Sequence, residues 1–242
     1  MSIPFIRAKE GSIAKSVLLP GDPLRARTIA ELFLEGVQQV YSGHGVAAYT
    51  GQYKGRAITA VGTGMGAPSI TACTVELLQN YGVKNLIRCG TCGSSAVNLS
   101  CGDIVISQGA STRCQYSRRL FHANYCPIPD FGLLRTAAQT AERLDLGVKA
   151  VVGNTEQGDL FYTAKPSEEK DWLAADALGG DMETGSFYTF ARRWGGRALT
   201  MFTVSDHHTK GEIMSQADRE RGGILPMVRL TLETICALPQ QF

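Results

Sequence analysis

Ser16-Val17-Leu18-Leu19-Pro20-Gly21-Asp22-Pro23-Leu24-Arg25 is the stretch on which the fold turns. Val17 to Leu19 is a short apolar run of the kind that forms a buried strand. Pro20-Gly21 stops it. Asp22 supplies an N-cap, Pro23 a first helical residue, and a helical apolar pattern runs from Leu24 to Leu34. A strand that turns on a glycine into a helix gathers free backbone N–H groups and the positive end of a dipole at one point. Arg25 adds a cation in the first turn, and the combination suits phosphate or a similar anion. An ordinary strand-to-helix turn with a surface arginine accounts for the same residues without a ligand.

The pattern then repeats. Ala47 to Tyr53 and Arg56 to Val61 read as two strands joined at Lys54-Gly55. The second runs into Gly62-Thr63-Gly64-Met65-Gly66, and a proline-led helix follows from Pro68 to Gln79, with Gly82 as its stop. The glycine run lacks full GxGxxG spacing and no acidic residue follows in a second strand, which argues against a dinucleotide. Lys84 to Arg88 is a third strand, ending in Arg88-Cys89-Gly90-Thr91-Cys92-Gly93-Ser94. A cation, glycines and a hydroxyl again collect at a strand's carboxyl end, the edge where open α/β sheets bind ligands.

Asp103 to Ser107 and Val148 to Gly153 are further strands, and Cys114 to Pro129 is irregular. Asp130 caps an amphipathic helix with Leu133, Leu134, Ala137, Ala138, Ala141 and Leu144 at helical spacing. Glu168 to Leu178 and Phe187 to Trp194 read as helices on either side of Gly179-Gly180-Asp181-Met182-Glu183-Thr184-Gly185. Ala198 to Val204 is a strongly apolar strand ending at Ser205-Asp206-His207-His208, Lys210 to Arg221 is polar, and Ile224 to Leu238 is a last helix. Strands alternating with helices predict an α/β protein with a mostly parallel central sheet.

A chain of 242 residues with 44% apolar content suits one large soluble domain, residues 1–242. A net charge of +2 predicts neither a nucleic-acid nor a membrane surface. Seven cysteines, an odd number, follow an N-terminal stretch without an apolar signal region, so a reducing, cytoplasmic setting with free thiols is expected. Cys89 and Cys92 have CxxC spacing but neither a second pair nor nearby histidines, which favours buried thiols over zinc. His207 and His208 are adjacent, point in different directions and have no partner cluster, so no metal is expected.

Taken together, Pro20-Gly21-Asp22-Pro23-Leu24-Arg25, Gly64-Met65-Gly66, Arg88-Cys89-Gly90-Thr91-Cys92-Gly93, Asp159-Leu160-Phe161-Tyr162, Asp181-Met182-Glu183 and Val204-Ser205-Asp206-His207 resemble the nucleoside phosphorylase family, in its hexameric bacterial purine type. The order and spacing fit from about Ile3 to the last helix. The resemblance implies a single α/β domain with a mixed, partly barrel-like central sheet flanked by helices. It implies reversible phosphorolysis of purine (deoxy)ribonucleosides to free base and (deoxy)ribose 1-phosphate, with inorganic phosphate as co-substrate and no cofactor. It also implies a homohexamer, a trimer of dimers, with sites completed by a neighbour.

Carried onto matching positions, Gly21, Arg25, Arg88 and Thr91 would hold phosphate. Asp181, Met182 and Glu183 would face the sugar with Met65 beneath it, and Phe161 would pack against the base. Asp206, beside Ser205, would be the general acid, brought into play by Arg219 when the polar segment closes. The chemistry asks for these types: an oxocarbenium-like sugar needs an anionic nucleophile and a fixed ring, and a departing purine needs a proton at N7. Each residue also has a plainer role open to it: helix-start acids for Asp181 and Glu183, an N-cap for Asp206, core for Phe161, a solvated face for Arg219.

Two positions depart from the family pattern. His44 stands where the family lends an arginine across an interface to phosphate, and Phe5 stands where it lends a histidine to the sugar 5′-hydroxyl. Weaker phosphate binding or an altered 5′ preference is expected. Thr91 keeps the hydroxyl of the usual serine. A uridine phosphorylase would need a glutamine-arginine pair after Phe161-Tyr162, where Thr163-Ala164-Lys165-Pro166 stands. A hydrolytic nucleosidase would not need Arg25, and a nucleoside-binding protein without activity would not need Asp206, Glu183, Arg25 and Arg88 together.

Overall fold

The computed structural model describes residues 4–162, 175–221 and 223–239. In chain order it has β1 (Ser16–Leu19), α1 (Pro23–Phe33), β2 (Glu35–Gly43), β3 (Val46–Tyr53), β4 (Arg56–Gly62), α2 (Ala67–Tyr81), β5 (Asn85–Ser94), β6 (Ile104–Thr112), α3 (Tyr116–Phe121), α4 (Phe131–Arg143), β7 (Ala150–Gln157), β8 (Ala177–Asp181), α5 (Thr184–Arg193), β9 (Arg197–His207), β10 (Glu212–Ile213), α6 (Gln216–Arg221) and α7 (Leu225–Ala237).

Local signals set the helix ends. Asp22 accepts from Leu24 N at 2.9 Å, and Pro23 opens α1. Asp130 caps α4 by accepting from Leu133 N at 2.9 Å. Gly82 closes α2 in the left-handed region, φ 61°.

The strands form one sheet in the order β10-β9-β6-β7-β8-β5-β1-β4-β3-β2. β9 also pairs with β5, so β5, β8, β7, β6 and β9 close into a five-stranded ring. β1 explains its own apolar run. Leu18 points to one face, among Ile58, Ile87 and Leu199 under α1, α4 and α7. Val17 and Leu19 point to the other, against Ile70 and Leu77 of α2 and Phe187 of α5. A strand covered by helices on both faces needs apolar side chains at every position, and each such Leu contributes about 1.5–3 kcal/mol of burial.

Several expectations from the sequence are corrected. The sheet is mixed and partly closed, as the resemblance implies, and not mostly parallel as the strand–helix alternation alone suggests: β1–β4, β1–β5, β5–β9, β6–β7 and β7–β8 are parallel, while β2–β3, β3–β4, β5–β8, β6–β9 and β9–β10 are antiparallel. β5 does not end at Arg88 but runs on through its glycines to Ser94, because β9 pairs along its whole length. Tertiary pairing overrides the poor strand propensity of glycine there. β2 was not expected; its mostly exposed residues carry no apolar signal and it pairs with β3 alone. The segment expected to be irregular contains α3. The helix expected over Glu168 to Leu178 falls largely outside the described residues, and Ala177 and Leu178 are strand β8. The polar segment after β9 holds β10 and α6.

Candidate active site

The two glycine turns of the sequence are bound together. Thr63 N donates to Pro20 O at 2.9 Å and Gly64 N to Gly21 O at 2.7 Å. A Cβ built at Gly21 would lie 4.0 Å from Arg88 Nη1, so the opening turn faces the arginine of β5. Arg25 projects from the first turn of α1. Burial lowers its pKa from the ordinary arginine value, and the positive charges of Arg88 and Arg219 push the same way against Asp22. Three guanidinium groups within electrostatic reach of one another call for an anion.

Arg88 is 4% exposed and lies in a buried knot of charge. Its Nε donates to Asp181 Oδ2 at 3.1 Å and its Nη2 to Glu183 Oε2. Burial alone would lower its pKa; the two carboxylates reverse that and raise it, so the guanidinium stays charged. Burial pushes the Glu183 carboxyl up against the pull of Arg88. Gly66 N donates to Glu183 Oε1 and Met182 N to Oε2 at 3.2 Å. A carboxylate has about four acceptor directions, and these contacts leave one open, on Oε1. Asp181 also caps the start of α5, accepting from Thr184 N at 3.0 Å and Thr184 Oγ1 at 2.8 Å. Its contacts make it the holder of Arg88. Arg88 Nη1 is buried with no hydrogen-bond partner among the described residues. An orphaned cationic nitrogen inside a protein is costly unless a ligand fills the position.

Asp206 lies at the end of β9. The β5–β9 register passes from Cys92↔Val204 to Gly93↔Asp206, which leaves Ser205 as an extra residue in a bulge. Bulges re-aim the following side chain, and this one sets Asp206 opposite Gly93. Ser205 Oγ donates to Asp206 Oδ1 at 2.7 Å, and His208 Nε2 lies 2.8 Å from Asp206 Oδ2. The Asp206 side chain is 33% exposed. Arg219 does not touch it: its Nε donates to Met214 O at 3.1 Å. His207 is buried, with Nε2 2.9 Å from Ala96 O, and is structural.

Met182 lines a cavity of about 410 Å³ with Gly66, Gln115, Tyr116, Arg119 and Asp159. Met65 and Phe161 are exposed at 69% each, and Phe161 packs edge-on to Tyr162. Thr91 lies inside β5 opposite Thr203. The structure brings Gly21, Arg25, Arg88, Asp181, Met182 and Glu183 together, with Asp206 on the neighbouring strand. Phe5 and His44 form a separate group, ring centroids 6.4 Å apart, with Tyr41 Oη donating to Phe5 O and 3.2 Å from His44 Nδ1.

This arrangement has relatives. The family model of the phosphorylase superfamily matches residues 15–225. The chain belongs to that superfamily. It is 43% identical over 235 residues to the purine nucleoside phosphorylase DeoD-type 2 of Vibrio cholerae serotype O1, covering 97% of this chain and 98% of that one. It is 44% identical over 216 residues to the purine nucleoside phosphorylase DeoD-type of Geobacillus kaustophilus, covering 89% and 90%. Among solved structures, uridine phosphorylase from Vibrio fischeri ES114 superposes with a TM-score of 0.84 at 25% identity, covering 96% of this chain and 95% of that one. Glu156 and Gly180 lie along the same strand row as Asp206, His208 lies against it, and none of the three was singled out as ligand-facing from the sequence. Glu156 falls beyond the expected end of the strand at Gly153, and the pair Gly179-Gly180 was the one visible signal of a side-chain-free surface.

Proposed function

We infer that the chain catalyses reversible phosphorolysis of purine nucleosides, giving free base and pentose 1-phosphate. The observation that carries the reading is Arg88: a buried arginine whose Nε and Nη2 are fixed by Asp181 and Glu183 while Nη1 faces Gly21 without a partner. Phosphate placed there meets Arg88, Arg25 and the backbone of the Gly21 turn. It is both nucleophile at the sugar's anomeric carbon and counter-charge to the oxocarbenium-like transition state. Glu183, held by Arg88 and two backbone N–H groups, offers its remaining acceptor direction to a sugar hydroxyl and fixes the ring. Asp206, aimed by the Ser205 bulge, donates a proton to purine N7 so that the base leaves neutral. Phosphate attacks, the glycosidic bond breaks, and the proton from Asp206 replaces that bond on the base. The names of the relatives favour purine over uridine as substrate.

Inorganic phosphate serves as co-substrate, and the reaction needs no cofactor. A single domain assembled as a homohexamer in the cytoplasm, with Phe5 and His44 facing a neighbour's site, fits the resemblance, and sedimentation velocity tests the hexamer. With phenylalanine at position 5, nucleosides lacking the 5′-hydroxyl are expected to remain substrates, which a comparison of inosine with 5′-deoxyinosine checks. Among the described residues no helix is long and apolar enough to cross a membrane.

The test is base release from inosine, adenosine and uridine with and without phosphate. Phosphate-dependent release of purine but not uracil supports the reading. Equal release without phosphate identifies a hydrolase instead.

A further inference from the structure

The second carboxylate oxygen of Asp206 is held by an imidazole, not by an arginine. His208 follows two residues later, one past the end of β9, and alternate residues of an extended chain project to the same side. Its backbone is fixed there, with His208 N donating to Ser94 O at 2.9 Å. Its Nε2 lies 2.8 Å from Asp206 Oδ2. Gly93 of β5 makes the room. A Cβ built at Gly93 would lie 2.8 Å from both Asp206 Oδ2 and His208 Nε2, so the space of a side chain is filled by the pair itself. The other oxygen is committed: Ser205 Oγ is 2.7 Å from Asp206 Oδ1 and 3.3 Å from its alternative acceptor, Cys92 O. Arg219, which the resemblance assigns to Asp206, instead donates from Nε to Met214 O. The His208 side chain is 50% exposed and that of Asp206 33%, so the imidazole is the member of the pair with more access to water.

On the phosphorolysis reading, on which this inference rests, Asp206 gives a proton to the base once per turnover and must regain one. We propose that His208 returns it, as a positioning residue and proton relay that acts through Asp206. After the transfer to N7, Oδ2 belongs to a carboxylate. The imidazolium passes its Nε2 proton to that oxygen, which leaves a neutral acid and a neutral imidazole, and the imidazole takes a proton from water. Histidine suits the step because its charge changes between about pH 5 and 8, whereas a guanidinium stays protonated and only stabilises the carboxylate. The imidazole keeps a proton at hand at pH values where a lone carboxyl has lost its own. Four elements bring other charged or titratable groups toward the pair. Cys92 of β5 and Cys101 in the turn before β6 are thiols that burial pushes up and keeps neutral. Glu212 of β10 lies opposite His207, Glu156 of β7 lies across Gly180 from Gly93, and α6 carries Arg219.

The experiment measures kcat against pH for purine release from inosine, at saturating nucleoside and phosphate, in the wild type, His208→Ala and His208→Gln. The ionisation of phosphate itself is common to all three and cancels in the comparison. The alkaline limb of both variants is expected to lie about one pH unit below that of the wild type, a tenfold loss of kcat on that side, with KM for phosphate unchanged. Glutamine is the deciding variant: its amide can donate to Oδ2 and keep Asp206 in place, but it has no proton to pass on. A His208→Gln limb within about half a unit of the wild type marks a merely structural contact and overturns the proposal. If the wild type releases no purine in the presence of phosphate, the phosphorolysis reading is what has failed. Proton NMR of the His208 ring against pH then decides the pair. A titration midpoint that falls in Asp206→Asn upholds the shared proton; an unchanged midpoint removes it.

Discussion

Arg88 and Asp206 sit on paired strands of the closed ring, yet their surroundings are opposite. Arg88 is buried and gripped by two carboxylates that are themselves held by Thr184, Gly66 and Met182. Asp206 is one-third exposed, steadied by one hydroxyl and one imidazole on a bulged strand end. The first end is preassembled: Arg88 and Glu183, which on the proposed reading meet phosphate and sugar, are held in place by the fold itself, which would spare ordering cost in the transition state. The second end is adjustable. On the proposed reading Asp206 releases a proton, and its partial solvent access beside His208 suits that task.

The contrast is tested most severely by Arg88→Ala. It strands two buried carboxylates, so unfolding in urea should show a loss of about 3–5 kcal/mol, with activity abolished. A loss below ~1 kcal/mol would mean that the knot relaxes and is not preassembled. Asp206→Asn should do the reverse: kcat for purine release falls ~10²–10⁴-fold, while stability moves by less than ~1 kcal/mol, as for other partly exposed polar sites. Phosphate probes the Arg25–Arg88 end directly. At 100 times its Kd it should stabilise the wild type by about 2.7 kcal/mol, seen as a rise in Tm, and Arg25→Ala should remove most of that rise at the same concentration. The smallest effect is expected at the loose corner. His208→Ala should lower kcat by no more than about tenfold, ~1.4 kcal/mol, and shift the pH profile, with KM for phosphate unchanged.

What the sequence revealed and what it hid follow from how local each signal is. Asp22, Pro23, Gly82 and Asp130 act within a few residues, and each caps the helix that the sequence places beside it. Arg25 and Arg88 were legible as candidate anion ligands because strand-to-helix turns and strand ends carry that chemistry locally. β2 was hidden because its pairing with β3 comes from tertiary context, with no apolar alternation to announce it. The full length of β5 was hidden because β9 forces its glycines into the ladder. The row from Glu156 to Asp206 depends on the register of four strands that are distant in sequence, and no periodicity encodes that register. Asp181 stood out in the sequence only as part of a nucleoside-binding motif; its bonds to Arg88 and Thr184 come from tertiary packing and were not legible there.

The most direct test of the central claim is the fate of phosphate. Guanosine or inosine is incubated with the protein and inorganic phosphate, and the products are followed by phosphorus NMR. The account predicts a pentose 1-phosphate resonance that grows in step with free base and that Asp206→Asn slows. Free base accompanied by unphosphorylated ribose, with the inorganic phosphate signal unchanged, would contradict it.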